Sequence, residues 1–134
     1  MTKGASPTRP LSPHLQIWRF TVTMAASITH RATGAVLYGG TLLLAAWLFA
    51  AASNPMMFAG ISAIIHSPIG VVIIAGYVWA IMFHAMNGLR HLYWDSGRGL
   101  APKTAKVTSW VIYVGSLLLA AIILWAGYAA NGGA

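Results

Sequence analysis

The chain has no cysteine and a single acidic residue, Asp95, among its 134 positions. Without cysteine it can form no disulfide, hold no iron–sulfur cluster and perform no thiol catalysis. Charge of either sign is scarce. Charged residues make up 7% of the chain, where a soluble domain carries about a quarter. Hydrophobic residues make up 58%. Such a chain cannot cover itself with a water-compatible surface, which excludes an ordinary globular enzyme. It also excludes disorder, which requires low hydrophobicity. An integral membrane protein remains. What charge there is runs one way: eight Lys and Arg against the one acid give a formal +7. With no polar domain to carry a nucleic-acid footprint, this excess fits basic segments facing an anionic lipid surface.

Internal repeats, low-complexity tracts and the alternating pattern of membrane β-strands are all missing. Three stretches carry no charge at all: Ala32–Ala52, Pro68–Leu89 and Val107–Ala130. Each has the ~20 residues needed to cross the hydrocarbon core as a helix. The fold class is therefore an all-α membrane protein, one domain of three transmembrane helices at about 24–52, 68–95 and 106–130. Pro7, Pro10 and Pro13 make residues 1–22 an extended arm, with no apolar run that could act as a signal peptide. Between the first two spans, Met57, Phe58, Ile61, Ile64 and Ile65 recur at helical spacing and suggest a short interfacial helix. Pro68 suits the first turn of the second span, and Asp95-Ser96-Gly97 with Pro102 closes it.

The cations sort to one side. Lys3, Arg9, Arg19 and Arg31 precede the first span, Arg90, Arg98, Lys103 and Lys106 lie between the second and third, and segment 53–67 and the C-terminal tail have none. By the positive-inside rule the N-terminus and second connection face the cytoplasm or matrix and the C-terminus faces outward. Trp94 and Trp110 flank the inner boundary, and Trp47 and Trp125 lie toward the outer one.

Few residues could carry chemistry. His84 lies inside the second span, and ionisable groups at membrane depth are costly and usually functional. Gly76, Ala80, His84 and Gly88 are spaced by four and share one stripe. A row of tiny side chains broken by one imidazole leaves a groove for a flat group, with haem the obvious candidate and His84 its axial ligand. Close helix packing through small residues is the bland alternative. His91, seven residues on, shares that face and could meet haem propionates or a proton path, with Asp95 as an acceptor; taken alone, an ordinary helix-end cluster is the better explanation. A haem with two histidine ligands needs them on opposite faces of the ring. His84 and His91 share a face, His30 is expected well above His84 in depth, and His66 belongs to the outer side. The second ligand must then come from another chain. Ser27, His30 and Arg31 group a hydroxyl, an imidazole and a guanidinium at the inner boundary. They could hydrogen-bond a quinone carbonyl, or simply cap a helix and snorkel. His14 reads as a surface residue.

Three segments resemble one family. Arg9-Pro10-Leu11-Ser12-Pro13-His14-Leu15, Ser27-Ile28-Thr29-His30-Arg31-Ala32-Thr33-Gly34 and His84-Ala85-Met86-Asn87-Gly88-Leu89-Arg90-His91-Leu92-Tyr93-Trp94-Asp95 resemble the cytochrome b membrane anchor of succinate dehydrogenase. Trp18 stands where tyrosine is more usual. The resemblance spans the arm and all three helices in order. It implies a subunit of respiratory complex II that pairs with a second three-helix anchor, the D subunit. Together these hold one haem b and dock an iron–sulfur subunit and a flavoprotein subunit carrying FAD. Succinate is oxidised on the flavoprotein, and electrons pass through iron–sulfur clusters to ubiquinone. His84 then matches the axial ligand to the haem iron, Ser27 and Arg31 match quinone-site residues, and His30, Arg31 and His91 fall near the haem propionates or a proton path.

This implies no catalytic residue for succinate and no activity of the chain alone. Only eight residues precede Arg9, too few for a mitochondrial presequence, so a bacterial inner membrane is expected over the mitochondrial one. Two other readings exist: an anchor of fumarate reductase working with a quinol, and a small transporter or channel. The second would normally need an acid or polar row within the spans.

Overall fold

The computed structural model describes residues 17–130 and 132. All regular structure among them is helical: α1 (Val22–Ser53), α2 (Pro55–Ile65), α3 (Pro68–Asp95) and α4 (Pro102–Ala130). α1, α3 and α4 are long and apolar enough to cross a membrane. At 1.5 Å per residue α1 is about 48 Å long, longer than the hydrocarbon core, so part of it stands at an interface. The arm up to Gln16, with Pro7, Pro10, Pro13 and His14, lies outside the described residues.

Each boundary has a local cause. Thr21 caps α1, its hydroxyl accepting from the Met24 amide. The helix therefore starts two residues before the expected 24. Asn54 ends α1 and begins α2: its own amide donates to Ala50 at 2.9 Å, and its side-chain oxygen accepts from Met57 at 3.0 Å. Pro55 then sits in the first turn of α2 and Pro68 in that of α3, where the missing N–H costs nothing. Ser67 caps α3 by accepting from Gly70 at 3.1 Å. α4 starts at Pro102 rather than near 106. The charge-free criterion clipped it, because Lys103 and Lys106 occupy its first turns. Gly97 and Gly99, at φ 77° and 73°, turn the chain between α3 and α4.

α3 is the central helix, packing against both α1 and α4. Its buried positions, Ala80, Phe83, Asn87 and Arg90, step by three and four, as do Ser109, Ile112, Ser116 and Ala120 of α4. Ala26, Phe83 and Ile112 form the apolar centre, flanked by Trp79, Met86 and Tyr113. Hydrogen bonds cross between the helices as well: Trp79 Nε1 to Ser116 at 3.1 Å, Thr29 to the Tyr113 hydroxyl at 2.8 Å, and Arg90 Nη1 to Ser109 at 2.6 Å. Most large apolar side chains point outward, including Leu42, Leu43, Val72, Leu118 and Trp125, which suits a lipid solvent.

Candidate functional site

The three histidines of α1 and α3 come together. The His30 and His84 rings stack with centroids 4.1 Å apart and planes 22° apart. The His91 ring lies 5.2 Å from that of His30. Sequence reasoning placed His30 well above His84 in depth, and this is corrected. α1 begins at Val22, so His30 is already two turns into the helix, while α3 runs the opposite way and brings His84 to the same level. The expected start near 24 already puts His30 inside the helix. What the sequence does not give is the relative level of two antiparallel helices, which spacing along either one cannot set.

His84 is held by its neighbours. Its Nδ1 lies 3.2 Å from the His30 carbonyl oxygen, and the Thr33 hydroxyl donates to that same carbonyl at 3.0 Å. A carbonyl only accepts, so the bond fixes the proton on Nδ1 and leaves Nε2 with a bare lone pair. Gly34 makes this possible: a Cβ there would stand 3.0 Å from His84 Cε1. The proposed groove is open at both ends, since a Cβ at Gly76 or Gly88 would meet nothing within 4 Å. Ala80 departs from the pattern, being buried in the packing interface.

His91 is exposed and takes the edge of the Trp94 ring at 5.4 Å. No hydrogen bond from His91 to Asp95 is found among the described residues. Ser27 is half-buried and Arg31 exposed. At 100° per residue they stand about 120–180° round α1 from Val22 and Ala25, which face α4. Both thus point away from α4, but Ser27, seven residues before Gly34, lies on the side of α1 that turns toward α3, whereas Arg31 is exposed. No contact of either with the His84 pair is found among the described residues. His66 ends α2 and donates from Nδ1 to the Ser62 carbonyl at 2.7 Å.

Sequence reasoning missed the polar interior. Arg90, counted as a loop cation, is 6% exposed, with its guanidinium 4.5 Å over the Trp94 ring. Asn87 is fully buried, and neither of its amide atoms has a partner. The spacing of 80, 83, 87 and 90 could have shown both on the buried stripe. Thr33 and Gly34, quoted only for resemblance, turn out to position His84.

The residues fit a haem. A porphyrin supplies four nitrogens of its own, so one imidazole with a free Nε2 suffices from this chain. That the described residues contain no group of three metal-ligating side chains does not bear on it. His30 cannot be the second ligand, because rings 4.1 Å apart in contact leave no room for a macrocycle between them. The buried Nε2 of His30 has no hydrogen-bond partner, a lack that a water, or a propionate on the protonated nitrogen, would satisfy.

Comparison with known proteins agrees with the motif resemblance. A family model described as succinate dehydrogenase/fumarate reductase transmembrane subunit matches residues 5–123. The succinate dehydrogenase cytochrome b556 subunit of Paracoccus denitrificans is 40% identical over 116 residues, 87% of this chain and 89% of that one. That of Rickettsia felis is 38% identical over 119 residues, 87% and 90% of the two chains. The mitochondrial cytochrome b560 subunit of Mus musculus is 38% identical over 104 residues, 74% of this chain and 60% of that one.

Proposed function

Because this chain belongs to the transmembrane-subunit family of succinate dehydrogenase and fumarate reductase, we propose that it is the haem-binding anchor through which electrons from succinate reach ubiquinone. The observation that carries this reading is His84, whose Nδ1 lies against the His30 carbonyl with Gly34 letting α1 close on the ring, so that Nε2 is the nitrogen left to ligate. When bound, haem b supplies a one-electron iron couple at this depth. Within this chain, the side chains position that group and handle protons. His30 and Thr33 orient the imidazole, Gly34 lets α1 approach it, and His30 Nε2 and His91 are placed to hold or pass protons near the propionates. A sister anchor would supply the other ligand to the iron.

Ser27 and Arg31 form the quinone-binding pair. Ser27 is half-buried and Arg31 exposed, which suits a site completed by another subunit, with the hydroxyl and guanidinium donating to a quinone carbonyl. A fixed positive charge there favours the oxygen as it gains electron density. The assembly consists of this chain, a second anchor, an iron–sulfur subunit and an FAD-bearing flavoprotein, with the succinate site on the last. The basic end faces the cytoplasm, and the bacterial relatives that match at 87% of the chain favour a bacterial inner membrane. The relatives are named for succinate dehydrogenase, which supports succinate oxidation over fumarate reduction.

The test is a visible spectrum of the purified complex, wild type and His84→Ala. The wild type is expected to show a low-spin b-type spectrum, and the variant a shifted Soret band and potential, because an axial bond is lost. Identical spectra and potentials would remove His84 from the haem. The chain purified without its sister anchor is expected to hold no stable low-spin haem.

A further inference from the structure

A groove of about 550 Å³ lies between the first turns of α1 and the first half of α4. Phe20, Val22 and Ala25 form one wall, and Trp110, Val114 and Leu117 the other. Tyr113, also lining it, fixes the spacing of the walls through its hydroxyl, bonded to Thr29 at 2.8 Å. The groove is mostly apolar, with Thr21 on the α1 wall and Tyr113 on the α4 wall its hydroxyl-bearing residues. It is also separate from the proposed quinone pair, since Ser27 and Arg31 stand on the other side of α1.

Its mouth is cationic. Trp110, Val114 and Leu117 continue backward along α4 at steps of three and four through Lys106 and Lys103, which places both lysines on the same helical face, above the groove. Arg19 adjoins Phe20 on the opposite wall. All three cations are exposed. The N-terminus of α4 adds its own partial positive charge. Eight cations share one acid in the whole chain, so this cluster has no internal counter-charge. A ligand that matches both parts has an anionic head and a long apolar tail.

We propose that this groove binds one anionic glycerophospholipid. An acyl chain lies along Trp110, Val114 and Leu117, and the phosphate sits between Arg19 and Lys106 with Lys103 in reach. Trp110 stands at the depth where indoles settle at a membrane boundary. The span from Trp110 to Leu117 is about 10 Å of helix, enough to seat the upper part of one chain. A quinone tail would fill the apolar part but leave the three cations unmatched.

The experiment uses the whole complex, reconstituted with phosphatidylglycerol or phosphatidylethanolamine, stripped with detergent and weighed by native mass spectrometry. One retained phosphatidylglycerol is expected for the wild type, with phosphatidylethanolamine washed off. The double variant Lys103→Glu/Lys106→Glu should retain it about ten-fold less well or worse, since each basic group near a membrane surface contributes about a five-fold factor. Val114→Trp should displace it by filling the groove while leaving the charges in place. The haem spectrum should be unchanged in both. Equal retention of the two lipids, or equal retention by all variants, would overturn the proposal. A photo-crosslinking residue at Val114 in an otherwise wild-type complex covers the case in which the variants do not assemble. Labelled phospholipid is the expected product, and a crosslink to another subunit would show that the groove is a protein interface.

Discussion

His84 Nδ1 lies 3.2 Å from the backbone carbonyl of His30, and the two rings stack at 4.1 Å. One histidine thus orients the other twice over, through its backbone and through its ring. The backbone half of that support survives replacement of the His30 side chain. His30→Ala should therefore leave His84 in the same tautomer, and it is expected to disturb the haem spectrum less than His84→Ala does. A His30→Ala spectrum as altered as that of His84→Ala would mean that the ring contact, not the carbonyl, holds the ligand.

Gly34 and Gly39 lie on the same helix but face different surroundings. A Cβ at Gly34 meets His84 Cε1 at 3.0 Å, whereas one at Gly39 meets nothing within 4 Å. Gly34→Ala should displace the imidazole and shift the b-type absorption. Gly39→Ala should leave it unchanged and, by removing helix-interior glycine, stabilise α1 by about 0.5–1 kcal/mol. Absorption spectra and thermal denaturation of the two complexes, taken together, check both halves.

The Arg90–Ser109 bond, at 2.6 Å, joins α3 to α4 in a buried setting. Ser109→Ala leaves a buried guanidinium short of an acceptor. It should destabilise the complex by about 1–2 kcal/mol, the range found for hydrogen bonds between model membrane helices. Loss of thermal stability with an unaltered haem spectrum is the expected pattern.

Thr29 and Tyr113 exchange a neutral hydrogen bond between α1 and α4. In a double-mutant cycle with Thr29→Val and Tyr113→Phe the coupling should be near ~0.6 kcal/mol, typical of such pairs in membranes. The cycle is read from denaturation of the assembled complex, and zero coupling would mean that the two hydroxyls are bonded elsewhere.

Ser27→Ala and Arg31→Leu address the quinone assignment. A charge-assisted hydrogen bond is worth roughly 1.5–3 kcal/mol, so Arg31→Leu should slow ubiquinone reduction about ten-fold or more. Ser27→Ala should act the same way, mainly through weaker binding. Succinate oxidation with an artificial acceptor that draws electrons from the soluble subunits should stay near normal. Wild-type ubiquinone rates in both variants would reduce the pair to helix-end polar groups.

The three spans were legible because lipid permits long uncharged runs and little else, and Ser67-Pro68 and Asn54-Pro55 mark helix starts by cap and proline chemistry. The histidine pairing was only half legible. A stripe on α3 can be read from spacing, but the level at which α1 crosses it depends on where α1 begins, and Thr21 sets that through a side-chain cap. Arg90 was misread for a different reason, and Asn87 was passed over. A cation near a helix end reads as a flank residue when only charge is counted, whereas its place on the 80–83–87–90 stripe marks it as interior.

Asn54 serves as the last cap of one helix and the first cap of the next. The junction therefore has no slack, and an inserted residue would have to break one cap or rotate α2 by about 100° relative to α1. The Gly97–Gly99 turn is a different kind of joint, built from left-handed glycines that no helix shares, Gly97 exposed and Gly99 half-buried against Tyr93. Length variation, epitope tags and fused reporters should be tolerated at this second joint and not at the first.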